Sequence, residues 1–187
     1  MVKPDLPIET ARLRLRPYAA ADVPDLYALE SHPEVHRYLY SEPRDLTQVA
    51  ERASERTDWV AFRAEGDQLA LIVELKETRE VIGNVNLHWV SETHRQGEIG
   101  YTLHPDHHGR GYASEAAAPL LRVGFEDLGL HRVIGRLDGR NTASARVLEK
   151  LGMRREAHLV QNEFVKGEWT DEVVYALLAS EWTGASS

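Results

Sequence analysis

Residues 104–129 read HPDHHGRGYASEAAAPLLRVGFEDLG, with Gly109 and Gly111 flanking Arg110. The segment before them, GEIGYTLHP, alternates like a strand and is stopped by Pro105, and an amphipathic helix pattern opens right after Gly111. Further on, HRVIGRLD reads as another strand. Strand, glycine loop, helix, strand is the signature of a parallel crossover, which needs a long connection between two neighbouring strands. Residues without side-chain bulk let something approach the backbone. Amides of such a loop, converging at a helix N-terminus, suit an anion.

The rest of the chain supplies more strands and helices. ARLRLRP alternates Leu13 and Leu15 with arginines until Pro17 ends it. Asp22 caps a short helix with Pro24 in its first turn, PEVHRYLY is a second helical piece, and DLTQVAERASERTDWVAFRA a longer amphipathic helix. QLALIVELK and EVIGNVNLHWV are strands joined through ETR. In the helix over 113–128, Leu120, Leu121, Gly124, Phe125 and Leu128 share one face. Asn141 caps NTASARVLEKLG, where Val147, Leu148 and Leu151 face inward and Gly152 stops the helix. MRREAHLVQNEFVK and EWTDEVVYALLA form a hairpin turning at Lys166–Gly167. The expected fold is α/β, a mixed and mostly antiparallel sheet with one parallel crossover near its middle, flanked by helices.

At 187 residues the chain suits one domain, over 9–182, with loose tails at 1–8 and 183–187. The absence of cysteine excludes disulfides, thiolate metal sites and a cysteine nucleophile. A net charge of −8 argues against broad binding to nucleic acid or anionic membrane. No apolar run reaches transmembrane length, and the first ten residues lack the apolar core of a signal peptide, so a cytoplasmic location is expected.

Three loop chemistries compete. No lysine follows the glycines as a Walker A loop requires. A dinucleotide fingerprint fails because Ser114 holds the third glycine position and HPDHH separates strand from loop. His104, His107 and His108 as metal ligands lack a fourth ligand at a recognisable spacing, so no metal is expected.

HHGRGYASEA resembles the acyl-coenzyme A loop of the GNAT (GCN5-related) N-acetyltransferases, usually written Gln/Arg-x-x-Gly-x-Gly/Ala. Gly111 and Ala113 match the last two positions, and His108 stands where Gln or Arg is typical. TARLRLRPYAAADVPDLY, NTASARVLEKLGMRREA and GEWTDEVVYALL resemble that family's RimJ/RimL-type branch in order and spacing. The resemblance implies a GNAT fold and acetyl-CoA, or another acyl-CoA, as cosubstrate. It implies cofactor contacts from Tyr101, Thr102 and Leu103 at the strand end, and from His108, Gly109, Arg110, Gly111, Tyr112, Ala113 and Ser114 in the loop and first turn. Asn141 and Ser144 complete that set.

Acyl transfer to an amine by direct attack needs a base, an acid for the thiolate and donors for the carbonyl oxygen. The resemblance assigns the acid to Ser144 and the base to Glu163; Glu98 is read first as a solvent-facing strand acid, with a place in the acceptor site as the alternative. It places the carbonyl donor near Tyr101 or Thr102, at a bulge in that strand. Without the resemblance, Asn141 is an N-cap, Glu163 a surface acid, and Asp171 and Tyr175 are structural. Asn84, Asn86, His88 and Trp89 are candidates for the acceptor pocket. The implied acceptor is a protein N-terminal α-amine, with a small amine (antibiotic, polyamine or amino acid) as runner-up and a silent acyl-CoA sensor as rival. A homodimer is left open.

Overall fold

The computed structural model describes residues 1–184. Its strands are β1 (Ile8–Glu9), β2 (Leu13–Arg16), β3 (Gln68–Leu75), β4 (Val81–Ser91), β5 (Gln96–Leu103), β6 (Arg132–Asp138), β7 (Arg154–Val165) and β8 (Glu168–Leu178). The helices are α1 (Val23–Glu30), α2 (Pro33–His36), α3 (Leu46–Arg56), α4 (Tyr112–Arg122) and α5 (Thr142–Lys150). One sheet runs β1-β2-β3-β4-β5-β6-β8-β7, and every neighbouring pair is antiparallel except β5 and β6. The mixed sheet with one parallel crossover is therefore present.

Period-two alternation in β3 divides the core. Leu69, Leu71 and Val73 join a cluster that includes Ala116, Leu120 and Leu121 of α4 and Leu148 of α5. Ala70 and Ile72 join a smaller cluster with Leu26 of α1 and with Val49 and Ala53 of α3. The sheet thus carries α4 and α5 on one face and α1 and α3 on the other, and each face is free to serve a different ligand.

Three expectations are corrected. The long helix ends at Arg56, not near Ala64. Asp45 and Gln48 form its capping box, but Val60 and Phe62 are drawn into bridges with Leu69 and Val2, which tertiary pairing favours over helix propensity. The helical piece after Pro33 stops at His36. Residues 1–8 are laid against the body, since Val2 exchanges hydrogen bonds with Phe62 (2.7 and 2.8 Å) and Ile8 pairs with Leu15. Of the expected C-terminal tail, residues 185–187 lie outside the described residues. Among the described residues no helix is long and apolar enough to cross a membrane.

Candidate active site

The crossover strands pair only over Gln96–Arg132, Gly97–Val133 and Glu98–Ile134. Past Glu98, β5 stays with β4 while β6 follows β8, so the sheet parts in its middle. The His104 amide donates to Ile82 O (2.8 Å), and Arg95 O accepts from Arg132 on β6 (3.2 Å). Alternation along the ladder then turns the Gly100 and Thr102 amides toward β4, and those of Tyr101 and Leu103 into the gap. The β4–β5 register is regular from Gly83 to Trp89 and shifts only between Trp89 and Ser91. The expected bulge at Tyr101 or Thr102 is thus absent, and splaying frees the amides instead. The Tyr101 amide faces the gap; the Thr102 amide faces β4.

At the end of β5, Pro105–His107 form a short 3-10 turn leading to Gly109 and Gly111, with φ of +74° and +82°. Glycine reaches this left-handed region without the Cβ cost. Gly111 is the N-cap of α4 and carries no side-chain cap, so the first amides of α4 stay open toward the loop. A Cβ on Gly111 would lie 3.5 Å from both Arg12 Nη2 and Lys150 Nζ. Two cations from opposite ends of the chain therefore flank this glycine. Arg12 is fixed there by Glu115 (Nε to Oε2, 2.7 Å), by donating to Arg110 O (3.0 Å) and by the Tyr112 ring beneath it (4.4 Å). His108 turns away, and its Nε2–H donates to Leu103 O (3.0 Å). This contact pins the strand end to the loop. Ser114 Oγ donates back to Gly111 O (3.0 Å).

α5 borders the gap on the α4 face. Asn141 Oδ1 accepts the Ser144 amide (3.0 Å), which fixes the helix start as expected of an N-cap. Ser144 meets Tyr101: the phenol donates to Ser144 O (3.0 Å), and the two hydroxyls are 2.9 Å apart. With the phenol proton on the carbonyl, the Ser144 hydroxyl donates to Tyr101 Oη. Burial pushes the Tyr101 phenol up to about 12 against the Ser144 hydrogen bond, so it stays a neutral donor at physiological pH.

On the opposite face Glu98 stands at the root of the gap, paired in register with His88 on β4 and Ile134 on β6. Burial pushes its carboxyl above the ordinary range, with Arg136 and His88 opposing and Glu172 adding to the rise. Arg136 is gripped by the buried Glu172 and reaches Glu163 at 3.4 Å. Glu163 is thus brought to the site, but as an ion-pair partner of Arg136. Asp171 holds His158 (2.6 Å) and the Gln161 amide (2.9 Å) at the β7 bulge, and Tyr175 donates to Glu149 (3.0 Å). Asn84, Asn86 and Thr102 line a cavity of about 350 Å³ on this face. Trp89 has the opposite parity and packs on the main core, so it leaves the acceptor set.

His104 accepts from the Asp106 amide (3.4 Å), and His107 contacts Glu80 (3.1 Å). Among the described residues no group of three or more acids or histidines is arranged to hold a metal.

The family model for an acetyltransferase (GNAT) domain matches residues 12–154. The chain belongs to the GNAT acetyltransferases. It is 33% identical to the uncharacterised N-acetyltransferase p20 of Bacillus licheniformis over 94% of this chain and 97% of the relative. The crystal structure of a GNAT-family acetyltransferase from Bacillus anthracis superposes with a TM-score of 0.83 at 30% identity, covering 93% of this chain and 99% of that one. Spermidine N-acetyltransferase from Vibrio cholerae, solved with CoA and spermine, shares the fold with a TM-score of 0.77 at 23% identity over 92% and 98% of the two chains.

As a GNAT protein the chain is an N-acetyltransferase that uses acetyl-CoA and transfers acetyl to an amine. Its residues fit that cosubstrate: an uncapped helix start, two left-handed glycines and two flanking cations form a cradle that a side chain at position 111 would fill. Arg12 and Lys150 carry no motif in the sequence, because only folding brings positions 12, 111 and 150 together. Gly111→Val is expected to abolish stabilisation by acetyl-CoA. Without the substitution, ligand at one hundred times Kd should raise Tm by roughly 5–11 °C for a chain of this size. An equal rise in the variant would remove the loop from the binding site.

Proposed function

We propose that this N-acetyltransferase joins a small primary amine and acetyl-CoA in one ternary complex, with Glu98 taking the amine proton and Ser144 protonating the departing thiolate. The observation that carries this reading is the division of labour across the parted sheet. The Ser144–Tyr101 hydroxyl pair borders the gap on the α4 face, and Glu98 and the 350 Å³ cavity lie on the other. Bound acetyl-CoA supplies the thioester; the amine nitrogen forms the new C–N bond while the C–S bond breaks. The Tyr101 amide, facing the gap, is placed to donate to the carbonyl oxygen. Ser144 turns its proton from Tyr101 Oη to sulfur, the phenol swings from Ser144 O to reprotonate the serine, and solvent returns a proton to the phenol.

Glu98 replaces Glu163 as the base in this proposal. Burial raises the Glu98 carboxyl, and the Glu163 carboxylate is already engaged by the Arg136 guanidinium. Glu163 is given the role of holding Arg136 in place. The cavity volume lies within the range of small-molecule sites, which supports a small amine over a protein N-terminus.

Initial-rate kinetics test the scheme. With both substrates varied, double-reciprocal lines should intersect; parallel lines would demand an acyl-enzyme and defeat direct attack. Ser144→Ala is expected to lower kcat about 10²-fold while acetyl-CoA affinity stays within about threefold, because the hydroxyl matters once negative charge reaches sulfur. Losses of equal size in affinity and kcat would make Ser144 a positioning residue.

A further inference from the structure

The cavity beside Asn84, Asn86 and Thr102 is closed on its far side by Arg44, Arg52 and Arg56. These three guanidinium groups surround one buried carboxylate: Glu30 lies 2.9 Å from Arg44, 3.5 Å from Arg52 and 4.0 Å from Arg56. Among the described residues no other carboxylate comes within 4 Å of any of the three. Three positive charges against one negative leave an excess of two inside a chain whose net charge is −8.

Two of the arginines have structural work. Arg44 pairs with Glu30 at good distance, and Arg56 donates to Tyr18 Oη (3.0 Å) and lies over the Tyr18 and Trp59 rings. Arg52 does not. Its Nε is buried and donates to nothing among the described residues, with Glu30 its only acidic neighbour and too far for a hydrogen bond. Burial, and then repulsion from Arg56 and Arg44, hold the Arg52 guanidinium below its ordinary pKa. Leaving this buried donor unpaired is unfavourable, although the rest of the guanidinium reaches solvent. A carboxylate or phosphate, with oxygens for the Arg52 fork, would remove that cost.

The same cavity has a second, opposite electrostatic end. Tyr40 lines it and also lies within the field of Glu163, Glu172 and Glu98, which outnumber the opposing Arg136. Carboxylates at the gap and surplus guanidinium groups at the far wall form a dipolar site, suited to an ammonium at one end and an anion at the other. Spermine, cationic along its length, would place positive charge against Arg44, Arg52 and Arg56. We propose that the acceptor is an amine that also carries an anionic group, carboxylate or phosphate, and that Arg52 is the residue that recognises that group. This rests on the reading above, in which the amine is acetylated from this face.

The test compares glycine, L-glutamate and O-phosphoethanolamine with ethanolamine and spermidine as acceptors. At least one anionic amine is expected to exceed ethanolamine and spermidine in kcat/KM by about tenfold or more, the scale of one charge-assisted hydrogen bond. The carboxylate and phosphate arms tell the two anions apart. Arg52→Gln should bring the preferred anionic amine down to the level of ethanolamine, with the loss falling on KM and not on kcat. Arg52→Lys should recover part of it. Preference for spermidine, or an equal loss for every amine in the variant, overturns the proposal.

Calorimetric titration of the same amines into the CoA-bound protein reads the pocket without turnover. Binding of an anionic amine should weaken about 10- to 100-fold in Arg52→Gln. Unchanged binding overturns the proposal. Binding that discriminates as expected without any acetyl transfer would leave the anion site standing and remove the transfer reading.

Discussion

Gly83→Ala is expected to lower Tm by roughly 2–12 °C and to weaken acetyl-CoA binding with it. An ideal Cβ at this position would lie 2.1 Å from Thr102 O and 3.0 Å from Leu103 Cα. The obstruction is the backbone of β5, which no rotamer change can move aside. Overpacking of this kind costs about 1–3 kcal/mol or more, and a domain of this size loses about 2–4 °C per kcal/mol. The strain enters where β5 runs without β6, so relief comes by pushing Tyr101 and Leu103 into the gap. Thermal melts with and without acetyl-CoA would show both effects. An unchanged Tm would mean that β4 and β5 can separate freely at the gap, against the role given to this pairing.

Glu98→Gln should cut kcat/KM near pH 7 by roughly 10²- to 10³-fold, the scale of a lost general base. Amines are largely protonated at that pH, with pKa about 7.7–8.0 for an α-amine and about 10.4 for an alkylamine. Glu98 accepts a proton only when ionised, so wild-type activity rises as pH passes its raised pKa. The variant should instead follow the titration of the amine and be partly rescued at high pH. Stability moves the other way. A carboxyl raised in the fold contributes stability below its unfolded pKa and loses it as pH rises through the folded one. Above the folded pKa the ionised Glu98 is a cost, and there glutamine should hold or raise Tm. Glu163→Gln, acting through Arg136, should cost less than about tenfold. If the two variants exchange their effects, Glu163 is the base.

The order of elements along the chain, the single crossover and the glycine loop are legible because each is written in local periodicity or turn chemistry. The Asn141–Ser144 spacing is legible for the same reason: a cap and its acceptor are three residues apart. The period-two rule also separates Asn84, Asn86 and His88 from Trp89, and grouping them by proximity in sequence obscures it. Three features have no local signal. Arg12 and Lys150 reach Gly111 only through tertiary folding. Arg44, Arg52 and Arg56 read as the polar face of a helix and its approach until α1 supplies a single glutamate to face them. Glu98 looks like any strand acid, and its standing comes from being the last residue of β5 paired to β6.

A sheet parted in its middle owns two interior edges besides its outer ones. The outer edges are blunted in familiar ways, β1 by a length of two residues and β7 by register shifts at Arg155–Ala157 and Leu159–Glu163. The inner edge of β5 can use neither device, because its open amides are what the ligand needs. Shortening it would remove Tyr101, and a bulge would re-aim it. What covers that edge is the cosubstrate itself. Occupancy therefore bears on solubility as well as catalysis: the loaded enzyme presents fewer bare strand edges to a neighbouring chain than the empty one.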